Sequence, residues 1–311
     1  MEKVLVTGGA GFIGQNIVRR LLEQGKEVTI IDNLSTGKKE VIDSFTAAAK
    51  GTKFYQENTE TLPVEKYSDL DIDTIFHFGS PCSVQQFRKD PSKPMNETIS
   101  GFMKVMELAR STGSTVIFPS SGSIYGNKKE LQSEADEPEP ANLYGIGKVT
   151  VEALARYYRR VYGIKCMGMR IFAGYGPGEE HKGEIASAIT IFMNQIIRGI
   201  KPEIWGDGKQ RRDFVYISDI VDMALKCAQQ QKAEVINVGS GESITFNEII
   251  DLLNKSLGKS IDPLYIPKPV NYLEYTKADI SMSRELYDFN PTTVSEGIRK
   301  YIEYNAKVQG R

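Results

Sequence analysis

The 311-residue sequence predicts an α/β fold, a doubly wound parallel sheet followed by a smaller C-terminal α/β domain. Three observations carry the prediction. Strand-like apolar runs alternate with helical stretches through the first half of the chain. The first run leads into a glycine-rich turn, Gly8-Gly9-Ala10-Gly11-Phe12-Ile13-Gly14. The second run ends on an acid, Asp32. Regular βα alternation places helices on both faces of a parallel sheet. A strand, a glycine turn, a helix and a second strand make one βαβ unit.

Taken in order, Val4, Leu5 and Val6 form the first strand and residues 11–24 the first helix. Strands follow over 28–31, 53–55 and 74–78. A helix over 96–111 precedes a strand over 115–119, and a helix over 143–162 precedes a strand over 165–172. Beyond Phe172 the alternation loosens. Residues 174–178 carry turn chemistry. Helices are expected over 185–198, 218–229 and 247–256, and strands over 203–205, 213–215 and 235–238. Pro263, Pro267 and Pro269 mark an extended crossing. The ordering divides the chain into a first domain over 1–172 that recovers residues 213–238, and a second over 173–212 and 239–311.

Bulk properties exclude several classes. Lys and Arg number 39 against 40 Asp and Glu, a net charge of −1, so no basic excess points to nucleic acid or an anionic membrane. Cys82, Cys166 and Cys227 are scattered and odd in number, which gives neither a disulfide framework nor a metal site. A reducing, cytosolic compartment is expected. Residues 3–7 already read as a strand, leaving no room for a signal peptide. No apolar run approaches the roughly 20 residues of a membrane span.

The glycine turn binds phosphate. Gly8, Gly11 and Gly14 let the backbone turn sharply and approach a pyrophosphate, and the helix N-terminus behind Phe12 and Ile13 favours its charge. A carboxylate at Asp32 binds ribose hydroxyls and repels a 2′-phosphate, which favours NAD over NADP, although Lys38 and Lys39 lie close by in sequence. Tyr144 and Lys148 stand four apart in the predicted 143–162 helix and share a face. A cation beside the phenol favours the phenolate and makes Tyr144 a usable base near neutral pH.

With residues 119–126, Pro-Ser-Ser-Gly-Ser-Ile-Tyr-Gly, the chain resembles the extended short-chain dehydrogenases/reductases of the nucleotide-sugar epimerase/dehydratase type. The resemblance spans nearly the whole length. It includes the glycine turn, Asp32-Asn33-Leu34, Asn142 to Gly145 with Lys148, Tyr175 to Pro177, and Arg212 to Ile217. It implies a Rossmann-type domain holding NAD and a second domain holding a nucleotide sugar. It implies Tyr144 as general acid and base, with Lys148 on the nicotinamide ribose lowering the Tyr144 pKa. It implies Ser121 on the substrate oxygen, Ser123 facing the sugar and Arg212 on the nucleotide diphosphate. Asn33, Phe78 and Gly79 join the cofactor set, and Asn58 stands where the family usually has an Asp near the adenine. His77 reads as a packed strand residue. Helices 96–111 and 143–162 are those that pair into a homodimer.

Residues beside Ser121 choose among reactions. Dehydratases resembling this chain carry an Asp-Glu pair there, and uronate decarboxylases a Glu. Gly122 and Ser123 do not titrate usefully, which leaves oxidation and return of hydride with inverted configuration; the resemblance implies that this is epimerisation at C4 of a UDP-sugar through a transient 4-keto intermediate. Thr276 stands where a bulky Tyr bars N-acetylated sugars in 4-epimerases, so UDP-N-acetylglucosamine and its galacto epimer are expected beside UDP-glucose and UDP-galactose. Several positions depart from the family. Ala173 replaces an Asn, Lys268 and Asn271 lie where an Arg-Pro-Gly-Asp motif grips diphosphate and ribose, and Cys82 stands where some galactose epimerases carry Lys. A second reading within the family follows from residues 178–183 with Ala186 and Ser187, which resemble ADP-glycero-manno-heptose 6-epimerases, with Lys182 as a second acid/base and NADP as cofactor. A reading from another class is a non-catalytic NAD(P) sensor; such proteins commonly lose the Tyr or the Lys, and both are present here.

Overall fold

The computed structural model describes residues 1–269, 272–308 and 310. A seven-stranded, all-parallel sheet forms its centre. The strands are β1 (Lys3–Thr7), β2 (Glu27–Ile31), β3 (Lys53–Tyr55), β4 (Thr74–His77), β5 (Thr115–Ser121), β6 (Cys166–Ile171) and an edge strand, Val235–Val238. Their spatial order is Val235–Val238, β6, β5, β4, β1, β2, β3. The chain therefore runs outward from β1 in one direction, returns, and continues from β4 in the other. The crevice at the carboxyl ends of β1 and β4 is the topological switch point, where open α/β sheets bind ligands.

Side-chain alternation along each strand builds two cores. Val4, Val6, Ile30, Phe76 and Ile117 pack on one face. Leu5, Ile31, Ile75, Val116 and Phe118 pack on the other. Both faces are buried, so these strands read as continuous apolar runs. The first face is covered by α1 (Phe12–Glu23) and the helix Ile217–Gln229. Between β2 and β5 the chain forms α2 (Lys39–Ala48), α3 (Val64–Tyr67), α4 (Val84–Lys89) and α5 (Ser92–Thr112). The second face is covered by α5 and α6 (Leu143–Tyr162).

Most elements fall where the sequence places them, and the differences have local causes. The reading assigns no helix to α2, which buries only Ile42 and Phe45 and so has a thin apolar stripe. α5 starts before its expected first residue because Pro94 lies in its first turn, where a missing N–H costs no helical bond. The strand expected over 213–215 does not join the central sheet. It forms as Phe214–Tyr216 and pairs with Ala173–Tyr175 just beyond the end of β6. Two C-terminal helices, Ser281–Tyr287 and Val294–Val308, have no counterpart in the reading. Among the described residues no helix is long and apolar enough to cross a membrane.

Candidate active site

A cavity of about 420 Å³ opens at the switch point. Its wall brings together Gly8, Gly11, Phe12, Ile13, Gly14, Asp32, Asn33, Asn58, Phe78 and Gly79 with Ser121, Ser123, Tyr144, Lys148, Arg212 and Thr276. Sixteen positions spread over most of the chain thus meet in one space.

The glycine turn is built by close approach. Gly8 has φ +70°, and a Cβ there would lie 2.6 Å from the Gly79 backbone. A Cβ at Gly14 would lie 2.0 Å from the Gly8 carbonyl. Both glycines are demanded by the protein's own packing. Gly11 is different, since its nearest atom would be 3.2 Å away, and a side chain there would intrude chiefly on a ligand. The first turn of α1 carries no side-chain cap and no acid, so its leading N–H groups are free for an anion. Asp32 accepts from the Ala10 N–H at 2.9 Å and the Leu34 N–H at 2.7 Å. Each carboxylate oxygen keeps acceptor capacity toward the cavity. Lys39 pairs with Asp43, and neither Lys38 nor Lys39 lines the cavity. These residues fit NAD: backbone donors for the pyrophosphate, a carboxylate for ribose hydroxyls and neither Lys38 nor Lys39 on the wall to meet a 2′-phosphate. The Asn33 amide donates to the Asn58 side-chain oxygen at 2.7 Å, linking the ends of β2 and β3. Thr7 Oγ1 accepts from the Gly79 N–H at 3.1 Å and meets His77 Nδ1 at 2.8 Å. Burial holds the His77 pKa down at about 3, so this ring is a neutral packing residue.

The Ser121–Tyr144 geometry has equally local causes. Asn142 caps α6 through a bond from the Gly145 N–H at 2.9 Å. A Cβ on Gly145 would come within 2.9 Å of the Ser123 carbonyl, so a glycine here lets the first turn of α6 lie against the end of β5. Ser121 Oγ accepts from both the N–H and the hydroxyl of Ser123, at 3.1 and 3.0 Å. With both lone pairs occupied, its own proton is free to point at Tyr144 or a ligand. A Cβ on Gly122 would stand 3.0 Å from the Phe172 ring, so an acid there would require that ring to shift.

Burial opposes the lowering of the Tyr144 pKa expected from Lys148. The Lys148 ammonium lies 5.5 Å from the centroid of the Tyr144 ring and 3.4 Å from Ser80 Oγ. Burial dominates both groups. It raises the Tyr144 phenol above its ordinary range, with the Ser121 hydroxyl opposing, and lowers Lys148 to about 8. The four-residue spacing put the two on one face, but the ammonium ends over the ring rather than at the oxygen.

Behind this wall lies a closed polar cluster. The Ser120 hydroxyl donates to Glu152 at 2.5 Å. Arg170 holds both oxygens of Glu152, at 3.0 and 2.9 Å, and donates to the Tyr125 hydroxyl at 2.9 Å. Tyr125 in turn donates to Asn237 at 2.7 Å. The cluster ties α6 to β5, β6 and the edge strand.

At the far end, the Arg212 guanidinium lies between the rings of Tyr272 and Phe246, 5.2 and 5.8 Å from their centroids, and donates to the carbonyls of Leu273 and Arg211. Thr276 is buried, its hydroxyl accepting from the Asp213 N–H at 3.0 Å. Lys268 is not brought to the cavity; it pairs with Glu274 on the surface. Asn271 lies outside the described residues. The wall also includes Glu179, His181, Lys182 and Ser187. His181 and Lys182 stand out in the sequence as a polar run. The burial of Glu179 leaves no periodic signal there.

Comparisons with known proteins give the family. A model described as the NAD dependent epimerase/dehydratase family matches residues 4–239. A UDP-glucose 4-epimerase of Mycolicibacterium smegmatis is 30% identical over 310 residues, covering 97% of this chain and 98% of that one. A UDP-glucose 4-epimerase from Thermotoga maritima, crystallised with UDP-glucose, is similar at a TM-score of 0.91 and 30% identity over 99% of both chains. A UDP-N-acetylglucosamine 4-epimerase from Methanobrevibacter ruminantium, in complex with UDP-N-acetylmuramic acid, is similar at 0.92 and 29% over 99% of both.

Proposed function

The chain belongs to the NAD-dependent epimerase/dehydratase family, and from that premise we propose that it inverts C4 of UDP-sugars, both hexoses and N-acetylhexosamines. The observation that carries the proposal is the wall itself. Ser121, Tyr144 and Lys148 face the same cavity as the glycine turn, and Gly122 stands where an eliminating acid would be needed.

Ser121 donates a hydrogen bond to the C4 oxygen and Tyr144 takes the hydroxyl proton. NAD, held by the glycine turn and Asp32, would supply the hydride acceptor and donor for C4, and its cationic ring would favour the Tyr144 phenolate. The 4-keto sugar turns about its link to the diphosphate while Arg212 holds that diphosphate. Tyr144 then gives the proton back, so no net redox change remains. Holding the nucleotide through the turn keeps the reacting carbon within reach of both groups. Thr276 is small and leaves room for an N-acetyl group. The names of the related 4-epimerases support UDP as the nucleotide.

A proton NMR time course with UDP-glucose, and separately with UDP-N-acetylglucosamine, tests the reading without added cofactor. The galacto anomeric signal is expected from both. No conversion of either after adding NAD, or net NADH accumulation, overturns it. The assembly we propose is a homodimer through α5 and α6, which expose Met103, Ile146, Tyr157 and Val161; light scattering checks its mass. Free Cys166 and Cys227 accord with a reducing, cytosolic setting.

A further inference from the structure

We infer that Lys182 is a cofactor-binding residue, donating to the pyrophosphate of NAD from a polar segment, residues 177–187, that crosses the cofactor channel. The inference rests on NAD as the family's cofactor and concerns a side chain outside the glycine turn.

The segment is fastened at both ends. From α1, the Asn16 amide donates to the Pro177 carbonyl and the Gln15 amide to the Gly178 carbonyl, each at 2.9 Å. Glu179 is fully buried and accepts from the Ser187 N–H at 2.8 Å, the Ser187 hydroxyl at 2.7 Å and the Thr190 hydroxyl at 2.5 Å. Lys182 donates to the same carboxylate at 3.1 Å. Its side chain is only 14% exposed, and Glu179 outweighs burial and keeps it charged. An ammonium has three donors, and Glu179 is the one hydrogen-bond partner of this ammonium among the described residues. The remaining donors belong to a buried cation on the cavity wall.

The position of that cation selects the ligand. Lys182 Nζ lies 5.3 Å from the centroid of the Phe12 ring. Phe12 is the first residue of α1, whose leading N–H groups have no side-chain cap. The ammonium and the helix N-terminus therefore face one anion from two directions. His181, next in the segment, is close enough to Asp32 for its charge to be felt there, and Lys182 is close enough to Cys82 for the same. His181 and Lys182 thus line the same cavity as Asp32 and the glycine turn.

Two diphosphates enter this cavity, the cofactor's and the substrate's, and the test separates them. Lys182→Met, Lys182→Gln and Lys182→Arg are purified. NAD retained after gel filtration, NAD affinity by calorimetry, UDP affinity and apo-protein melting are compared with wild type. Charge-assisted contacts to phosphate are among the strong ones, so the Met and Gln variants should bind NAD about tenfold more weakly or worse. UDP affinity should stay unchanged; apo melting should fall in Met and Gln, which leave the buried Glu179 without its cation, and Arg should restore most of the NAD loss. Unchanged NAD affinity in Met and Gln overturns the inference. So does a loss confined to UDP, which places the ammonium on the substrate. An NAD loss that vanishes when affinity is measured well below the lowered apo melting point also overturns it, by assigning Lys182 a structural role alone. Should Met fail to fold, Gln, which keeps a bond to Glu179, carries the test.

Discussion

Ser120 and Ser121 are neighbours at the end of β5, pair with Arg170 and Ile171 on β6, and are both buried, yet they belong to opposite kinds of polar cluster. Ser120 enters a closed one, in which Glu152, Arg170, Tyr125 and Asn237 use one another's donors and acceptors. Ser121 enters an open one, in which Ser123 fills its lone pairs and leaves its proton, the Tyr144 hydroxyl and the Lys148 ammonium facing a cavity. Closed polar clusters fix geometry and cost little once satisfied; open ones are costly to the folded state and available for chemistry. Cutting each cluster separately should lower stability in one case and turnover in the other.

The sharpest break is Tyr144→Phe. It removes the proton acceptor and nothing that holds the fold, so turnover should fall by about 10³-fold or more. Retained NAD, UDP affinity and melting temperature should stay at wild-type values. Anomeric NMR rates beside a melting curve make the check. A loss under tenfold would mean that the open cluster is not where the chemistry lies.

Glu152→Ala should do the reverse. It leaves Arg170 as a buried charge without its carboxylate, which typically costs about 3–5 kcal/mol. Urea unfolding should register that cost, while turnover per folded molecule stays within a few-fold of wild type. Loss of turnover at full stability would erase the distinction between the clusters.

The two clusters also differ in how far the sequence exposes them. The open one is legible because its residues sit in short local patterns: a serine at a strand end, a Tyr and Lys one helical turn apart, glycines at fixed spacing. The closed one is assembled from β5, β6, α6 and the edge strand, and no spacing along the chain announces that Glu152 meets Arg170. The same contrast separates the two ends of the cavity. Much of the cofactor end is written in one βαβ unit, and its residues line one cavity with Asn58, Phe78 and Gly79 from the ends of β3 and β4. The substrate end is drawn from short strands and loops far apart in sequence. There Arg212 and Thr276 reach the cavity while Lys268 turns to Glu274. The Lys148–Tyr144 spacing was legible, but the position of the ammonium over the ring was not, because it depends on Ser80 from another loop.

Lys148 offers a titration of what the open cluster costs. Burial holds its folded pKa near 8, against 10.5 ordinarily. Between those values the unfolded chain binds a proton that the folded chain does not, so its contribution to stability rises with pH across that window. Below about pH 8 both states are protonated and the full cost stands. The gain should approach about 3 kcal/mol by pH 10.5. Subtracting the unfolding free energy of Lys148→Met from that of wild type, on protein stripped of cofactor, isolates it. A flat difference would show that the ammonium is better solvated than its burial implies.

The smallest effect expected is at the substrate end, and it asks whether Arg212 acts by charge or by shape. The guanidinium lies between two rings and is already anchored on the carbonyls of Leu273 and Arg211. Its plane is therefore fixed before any diphosphate arrives, and the donors left over point one way. Lys keeps the charge and loses the fork and the stacking. Arg212→Lys should weaken UDP binding about tenfold, roughly 1.4 kcal/mol, raise KM to match and leave kcat within a few-fold, because Tyr144 and Ser121 are untouched. A matching fall in kcat would mean that Arg212 also steers the turning 4-keto sugar. Unchanged UDP affinity would mean that the diphosphate lies elsewhere on the wall and that the two rings hold Arg212 for packing alone.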